Sequence, residues 1–242
     1  MKLAISGTYS SGKTLTVMAL SHYTGLPRTL AQSIREILPD AVPGKRLAEC
    51  APAEFLQLMM RRHVGRAVQE SLLPNEFLSD GSSLQEWIYG AARVEYGMNP
   101  NETAHPEGEK ENLGGFQGPA EVRFFADVVA QYGHAFRQHV KSTFDAFVHL
   151  RHELPLAADG HRPMNDRFRA TCDDMLLSTV DELQIPYHVV GGTLTERLDT
   201  IVNLFGFTTK MWNDEAVALA QEEYAKRDMR PETERVGSFT FT

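Results

Sequence analysis

Residues 7–14 read Gly7-Thr8-Tyr9-Ser10-Ser11-Gly12-Lys13-Thr14. The spacing G-x-x-x-x-G-K-[ST] is that of a phosphate-binding P-loop. Glycines let the backbone curl until successive N–H groups point at phosphate oxygens. A helix directly after the loop adds unpaired N-terminal amides and the positive end of its dipole. In this pattern Gly7, Tyr9, Ser10, Ser11 and Gly12 supply the cradle. Lys13 reaches the β- and γ-phosphates, and the Thr14 hydroxyl ligates Mg²⁺. The context agrees. Met1–Ser6 is a short apolar run, as a buried first strand is. Leu15, Val17, Met18 and Leu20 then recur at helical spacing, and Gly25-Leu26-Pro27 closes the helix. A Gly/Ser-rich surface turn between two elements has no need of Lys13-Thr14 at that offset.

Working outward, helices and strands alternate. Thr29–Ser33 reads as a short second strand, followed by a helical stretch and a turn-rich break at Pro39–Gly44. Ala53–Leu73 reads as an amphipathic helix carrying Arg61, Arg62 and Arg66. Asn75–Asp80 reads as a third strand ending on an acid. Ser83 and Glu86 are spaced as a capping box for the next helix. Residues 97–119, rich in Gly, Pro, Asn and Glu, read as a long mobile loop. A helix over Ala120–Val140, a strand over Phe144–Leu150 and a charged loop over 151–166 come next. A helix over Asp166–Leu183 and a strand over Ile185–Val190 follow. Thr193 and Glu196 form a second capping box opening another helix. Alternation of this kind predicts an α/β fold in three layers, a mainly parallel sheet covered by helices on both faces. The core domain is expected over 1–206, with a C-terminal extension over 207–242. That extension is expected to hold one helix, Asn213–Arg227, and a strand-like end, Ser238–Thr242. It reads either as a packing appendage or as the contact of a homodimer.

Bulk properties narrow the function classes. The 242 residues suffice for one large domain, and the hydrophobic fraction of 42% is ordinary for a globular protein. A formal net charge of −8 argues against non-specific nucleic-acid binding as the main activity. Cys50 and Cys172 are too few for a disulfide framework and lack metal-ligand spacing, so a reducing cytoplasm is the simplest home. No apolar run approaches the length of a membrane span, and no signal peptide precedes the first strand.

Several side chains beyond the loop carry chemistry. Asp80 is expected at the C-terminal end of a strand, the sheet edge where ligands bind in open parallel sheets. A carboxylate there can hold Mg²⁺ or take a proton from a substrate hydroxyl; a helix N-terminal aspartate is the plainer use. Arg162, Arg167 and Arg169 lie in a charged segment, 151–169, that suits a closing lid over a migrating phosphoryl group. The plainer use is a solvated loop whose arginines pair with local aspartates. Arg35, Arg61, Arg62 and Arg66 can bind a phosphate or carboxylate of an acceptor, or else form a solvated helix face. Trp87 and Tyr89 can stack on a base, although core packing is the more common use of such rings. His149 and His152 have metal-ligand spacing but no third ligand.

These residues resemble P-loop nucleoside and nucleotide kinases. The likeness rests on Ile5–Thr14, on Phe77-Leu78-Ser79-Asp80-Gly81-Ser82, and on Leu154-Pro155-Leu156 with Asp159-Gly160-His161-Arg162-Pro163. The AAA-type, nicotinamide-riboside-kinase-like ATPase group is the nearest in pattern, with thymidylate kinase a more distant relative. The resemblance spans about residues 1–206. It implies ATP and Mg²⁺ as donor, a small hydroxyl or phosphate acceptor, Asp80 as the acid after the third strand, and Arg162, Arg167 and Arg169 in the lid. Two positions depart from it. Relatives often carry Glu a few residues before Arg35, where this chain has Gln32. They often carry Arg directly after Asp80, where this chain has Gly81. A small-molecule kinase is the leading expectation. A P-loop NTPase switch without an acceptor is the alternative; the absence of a guanine-selecting N-K-x-D weakens a GTPase version. A nucleotide-binding protein without catalysis is a third.

Overall fold

A computed structural model describes residues 1–101, 114–156, 162–228, 230 and 232–234. In chain order the elements are β1 (Lys2–Ser6), α1 (Lys13–Thr24), α2 (Ile34–Ala41), α3 (Pro52–Leu72), β2 (Phe77–Asp80) and α4 (Ser83–Tyr96). Then come α5 (Pro119–Thr143), β3 (Ala146–Leu150), α6 (Asp166–Glu182), β4 (Tyr187–Val190), α7 (Leu194–Phe205) and α8 (Asn213–Ala225). The four strands form one wholly parallel sheet in the order β2-β1-β3-β4.

The register sets where chemistry can occur. Ile5 pairs with Asp80, and Ser6 pairs with His149. The carboxyl ends of β1, β2 and β3 therefore reach the same level, directly below the loop that begins at Gly7.

Alternation along the strands divides the core. Leu3 and Ile5 point to the face covered by Val17 and Leu20 of α1, Leu198 and Ile201 of α7, and Ala220 of α8. Ala4, Phe77 and Phe147 belong to the opposite face, against Leu84 and Ile88 of α4, Val140 of α5, and Phe168 and Leu176 of α6. A third cluster joins Leu38 of α2 to Phe55 and Leu58 of α3 and Phe125 of α5. It stands beside the sheet and carries the helices that wall the site.

Three features differ from the expectations. The second strand is reduced to a single parallel bridge, Arg28 to Leu78. Thr29 N–H bonds the Leu78 carbonyl at 2.9 Å, and then the chain leaves the sheet. The carbonyls of Ala31 and Gln32 are taken by the Arg62 guanidinium instead of a neighbouring strand, and Leu30 is exposed. The capping box of α4 sits one residue earlier than expected, on Ser82 and Gln85, with Ser82 accepting from Leu84 N–H. The stretch expected as a loop over 97–119 opens and closes in a neck. Met98 N–H donates to the Gly114 carbonyl at 2.6 Å, and Met98 and Phe116 are buried; residues 102–113 lie outside the described residues. In the extension, the expected helix is present as α8, which packs on α1 with Ala216 and Ala220 buried. The strand-like end 238–242 lies outside the described residues. Among the described residues, no helix is long and apolar enough to cross a membrane.

Candidate active site

The loop after β1 is held from three sides. Gly7 has φ +134°, and a Cβ there would lie 2.7 Å from Ser11 Oγ and 3.1 Å from the Leu150 carbonyl. Only glycine fits that turn. The Thr8 carbonyl accepts from Ser11 Oγ at 3.0 Å and from Lys13 Nζ at 2.8 Å. Arg197 of α7, buried, donates to the Ser11 carbonyl at 2.7 Å and to the Gly192 carbonyl at 2.9 Å, and pairs with Glu153 at 3.3 Å. Burial pushes the Lys13 ammonium down to about 8, against the opposing pull of Asp80. A desolvated cation beside curled amides is poised to gain from an anion.

Thr14 Oγ1 donates to Asp80 Oδ2 at 2.6 Å. The last residue of β2 and the first turn of α1 thus meet above the carboxyl end of the sheet. Behind them runs a second network. His149 lies between Ser6 Oγ at 3.2 Å and Asp173 Oδ2 at 3.1 Å. His152 lies against both Asp173 Oδ1, at 2.8 Å, and Thr8 Oγ1. The histidine pair is therefore spent on Asp173 of α6 and on the loop. Among the described residues no group of three or more metal-ligating side chains of the His/Cys/Asp/Glu type is found.

A cavity of about 360 Å³ opens from Lys13 and Thr14 past Asp80 to α2, α3 and the end of α8. Tyr9 stacks on Tyr89 with ring centroids 4.3 Å apart, and both line it. Glu86, from the first turn of α4, reaches Arg62 at 3.2 Å and Arg66 at 3.8 Å. Arg66 is buried and also donates to Ser79 Oγ at 3.1 Å and the Gly81 carbonyl at 3.2 Å. Gly81 itself has φ +78°. The Arg66 guanidinium thus stands against the backbone of Gly81, a position whose left-handed conformation favours glycine.

The AAA domain family model matches residues 2–197. The chain belongs to the AAA domain family. Among curated proteins, none matches it. Two solved structures of deoxyadenosine kinase from M. mycoides are similar in fold. One, with products dCMP and a flexible dCDP bound, has a TM-score of 0.53 at 15% identity and covers 85% of this chain and 98% of that one. The other, with bound dCTP, has a TM-score of 0.51 at 14% identity and covers 85% and 99%. This AAA-domain chain therefore has the α/β architecture of a P-loop kinase: a parallel sheet layered between helices.

Within this AAA domain the expected site residues separate into two groups. Lys13, Thr14, Asp80, Tyr9, Arg35, Arg62 and Arg162 line one cavity, and Arg162 donates to Ser10 Oγ at 3.2 Å. The others point elsewhere. Arg61 and Arg167 are exposed and lie outside the cavity wall, on helix faces turned to solvent. Arg169 is buried within α6 and donates to the Leu154 carbonyl at 3.0 Å, so it ties α6 to the segment after β3 and lies outside the cavity wall. Trp87 packs in the core: Arg137 stacks over its ring at 4.4 Å, and Gly133 leaves room for its indole. Tyr89, two residues on, faces the cavity because α4 turns by about 200° over two residues. Of the segment 151–169 expected as a lid, residues 157–161 lie outside the described residues.

Glu36, Glu86, Arg197 and Arg227 were not singled out as site residues in the sequence. Glu36 and Glu86 stand only at capping-box spacing, from Ser33 and Ser83, and Arg197 lies one residue past the Thr193–Glu196 box. The three-residue step from Ser33 to Glu36 marks a helix start, which says nothing about a cavity.

The donor set fits a hard divalent cation. Thr14 hydroxyl and Asp80 carboxylate are adjacent oxygen donors of the type Mg²⁺ takes beside phosphates.

Proposed function

We propose that the protein is an ATP- and Mg²⁺-dependent phosphotransferase acting on a small molecule, namely a nucleoside, nucleotide or nucleoside-like metabolite. One observation carries this reading. A single cavity runs from the P-loop residues Lys13 and Thr14 past Asp80 to residues of α2, α3 and α8. The wall beyond Asp80 leaves a place for an acceptor beside the donor phosphates.

The roles follow from the side chains. Lys13 exchanges the Thr8 carbonyl for phosphate oxygens when the donor binds, and recovers full charge there. Thr14 and Asp80 would hold Mg²⁺, which supplies charge neutralisation at the phosphates. Asp80 Oδ2 is engaged by Thr14, which leaves Oδ1 to orient an acceptor hydroxyl and accept its proton. Arg162, against Ser10 at the loop's tip, is the lid cation nearest the migrating group. Arg62 and Arg66 hold Glu86 in place and keep the acceptor side polar. Most of the rate gain comes from positioning and from charge fixed in advance.

Incubation with γ-labelled ATP, Mg²⁺ and a panel of nucleosides and nucleoside monophosphates tests the reading. Label is expected on one acceptor class. Label released only as free phosphate, whatever acceptor is present, would replace it with the regulatory NTPase alternative.

A further inference from the structure

The far wall of the cavity is built from Glu223, Tyr224, Arg227 and Asp228. All four lie beyond residue 197, where the match to the family model ends. Two attachments hold this wall. Ala216 and Ala220 are buried in the packing of α8 on α1. Glu223 pairs with His22 at 3.1 Å and with Arg28. Arg28 is where the reduced edge strand makes its one bridge. Past it the chain leaves the sheet and lines the cavity from Thr29 onward, facing the end of α8.

Where the two walls meet, Arg227 Nη2 lies 3.3 Å from Glu36 Oε2. The same oxygen accepts from Ser33 N–H at 2.6 Å and Ser33 Oγ at 2.7 Å. Burial pushes the Glu36 carboxyl up, but the Ser33 bonds and the Arg227 charge outweigh it and hold the group below the usual range. All these contacts fall on Oε2, so Oε1 remains for a ligand N–H. A guanidinium has several N–H donors in one plane. Side by side, the two groups offer an acceptor next to donors. The complement is a flat edge with an N–H next to an acceptor atom, as on a nucleobase.

We infer that the end of α8 is a specificity wall of the acceptor site, where Arg227 and Glu36 read the base edge of a nucleoside. Arg227 donates to a ring nitrogen or carbonyl, and Glu36 Oε1 accepts from the adjacent N–H. The assignment of this chamber to the acceptor rests on the kinase reading above.

The test is calorimetric titration of the full-length protein with adenosine, guanosine, cytidine and uridine, and separately with MgATP. Variants are Arg227→Ala, Arg227→Lys and Glu36→Gln, the last keeping an oxygen for Ser33. The tightest of the four nucleosides is expected to lose about tenfold in affinity in Arg227→Ala and in Glu36→Gln, with partial recovery in Arg227→Lys. MgATP affinity is expected to stay within about twofold, because loss of one remote hydrogen bond does not reach the P-loop. Unchanged nucleoside affinity in both Arg227→Ala and Glu36→Gln overturns the inference. So does a wild-type protein that binds MgATP and none of the four nucleosides. Failure of the wild type to bind MgATP refutes the donor assignment instead.

Discussion

Thr14 Oγ1 donates to Asp80 Oδ2 across 2.6 Å, joining two residues 66 positions apart. The bond exists because β1 and β2 are neighbours in register, with Ile5 opposite Asp80. Replacing Asp80 by Asn keeps a side-chain oxygen for Thr14 and removes the negative charge. Turnover in Asp80→Asn is expected to fall by about 10²–10⁴, with the melting temperature nearly unchanged. A steady-state phosphotransfer assay beside a thermal melt checks this. Near-wild-type turnover would remove Asp80 from the mechanism.

Lys13 makes a prediction about protons. Burial lowers its ammonium from the ordinary 10.5 to about 8, and a triphosphate restores the charged form. Between those values MgATP binding is expected to take up a fraction of one proton. Calorimetry in buffers of different ionisation enthalpy measures it. In the same window the free protein binds fewer protons than the unfolded chain, so its stability rises with pH. Lys13→Ala should abolish both the proton uptake and phosphotransfer while the fold persists. Turnover at the wild-type rate in that variant would refute the P-loop assignment.

Gly81 is predicted to resist substitution for a backbone reason. Its φ of +78° lies in the left-handed region, and an added Cβ would meet the Gln85 side chain at 3.3 Å. Gly81→Ala is expected to cost about 1–2 kcal/mol in chemical denaturation. A stability equal to that of the wild type would show that the turn can relax, and that the absence of Arg here has another cause.

Asp173 ties α6 to the loop through His149 and His152. Burial pushes its carboxyl up, but hydrogen bonds and charge from the two histidines outweigh this and hold it below the usual range. A carboxyl depressed in the folded state stabilises the protein above its unfolded pKa, and the contribution is lost as pH falls through the folded value. Asp173→Asn is expected to cost about 1–3 kcal/mol near neutral pH. The gap to wild type should close in acid, below about 3.9. Denaturation curves at a series of pH values provide the check; a gap independent of pH would mean the histidines do not engage the charge.

How much of this was legible in the chain depends on how far each signal reaches. Residues 7–14 were legible as a P-loop by themselves, because the glycines, the lysine and the start of the helix that follows are neighbours in sequence. The α/β alternation was legible for the same reason: side-chain periodicity and caps such as Thr193 with Glu196 act within a few residues. Asp80 was legible as a strand end. The arginines were not sorted by sequence, since Arg61 and Arg62 are adjacent and differ only in which way one helical step turns them. Arg169 looked like a lid cation and is buried in the packing of α6, because burial is a property of the packed helix and not of the local charge pattern. The second strand failed as an expectation because Arg62, some thirty residues away, takes the carbonyls that a neighbouring strand would have paired. Only the tertiary structure brought Glu36 to Arg227 and Arg66 to Gly81. Sequence periodicity carries local conformation, whereas the cavity is walled by residues from α2, α3, α4 and α8 that meet only when the sheet and its helices have packed.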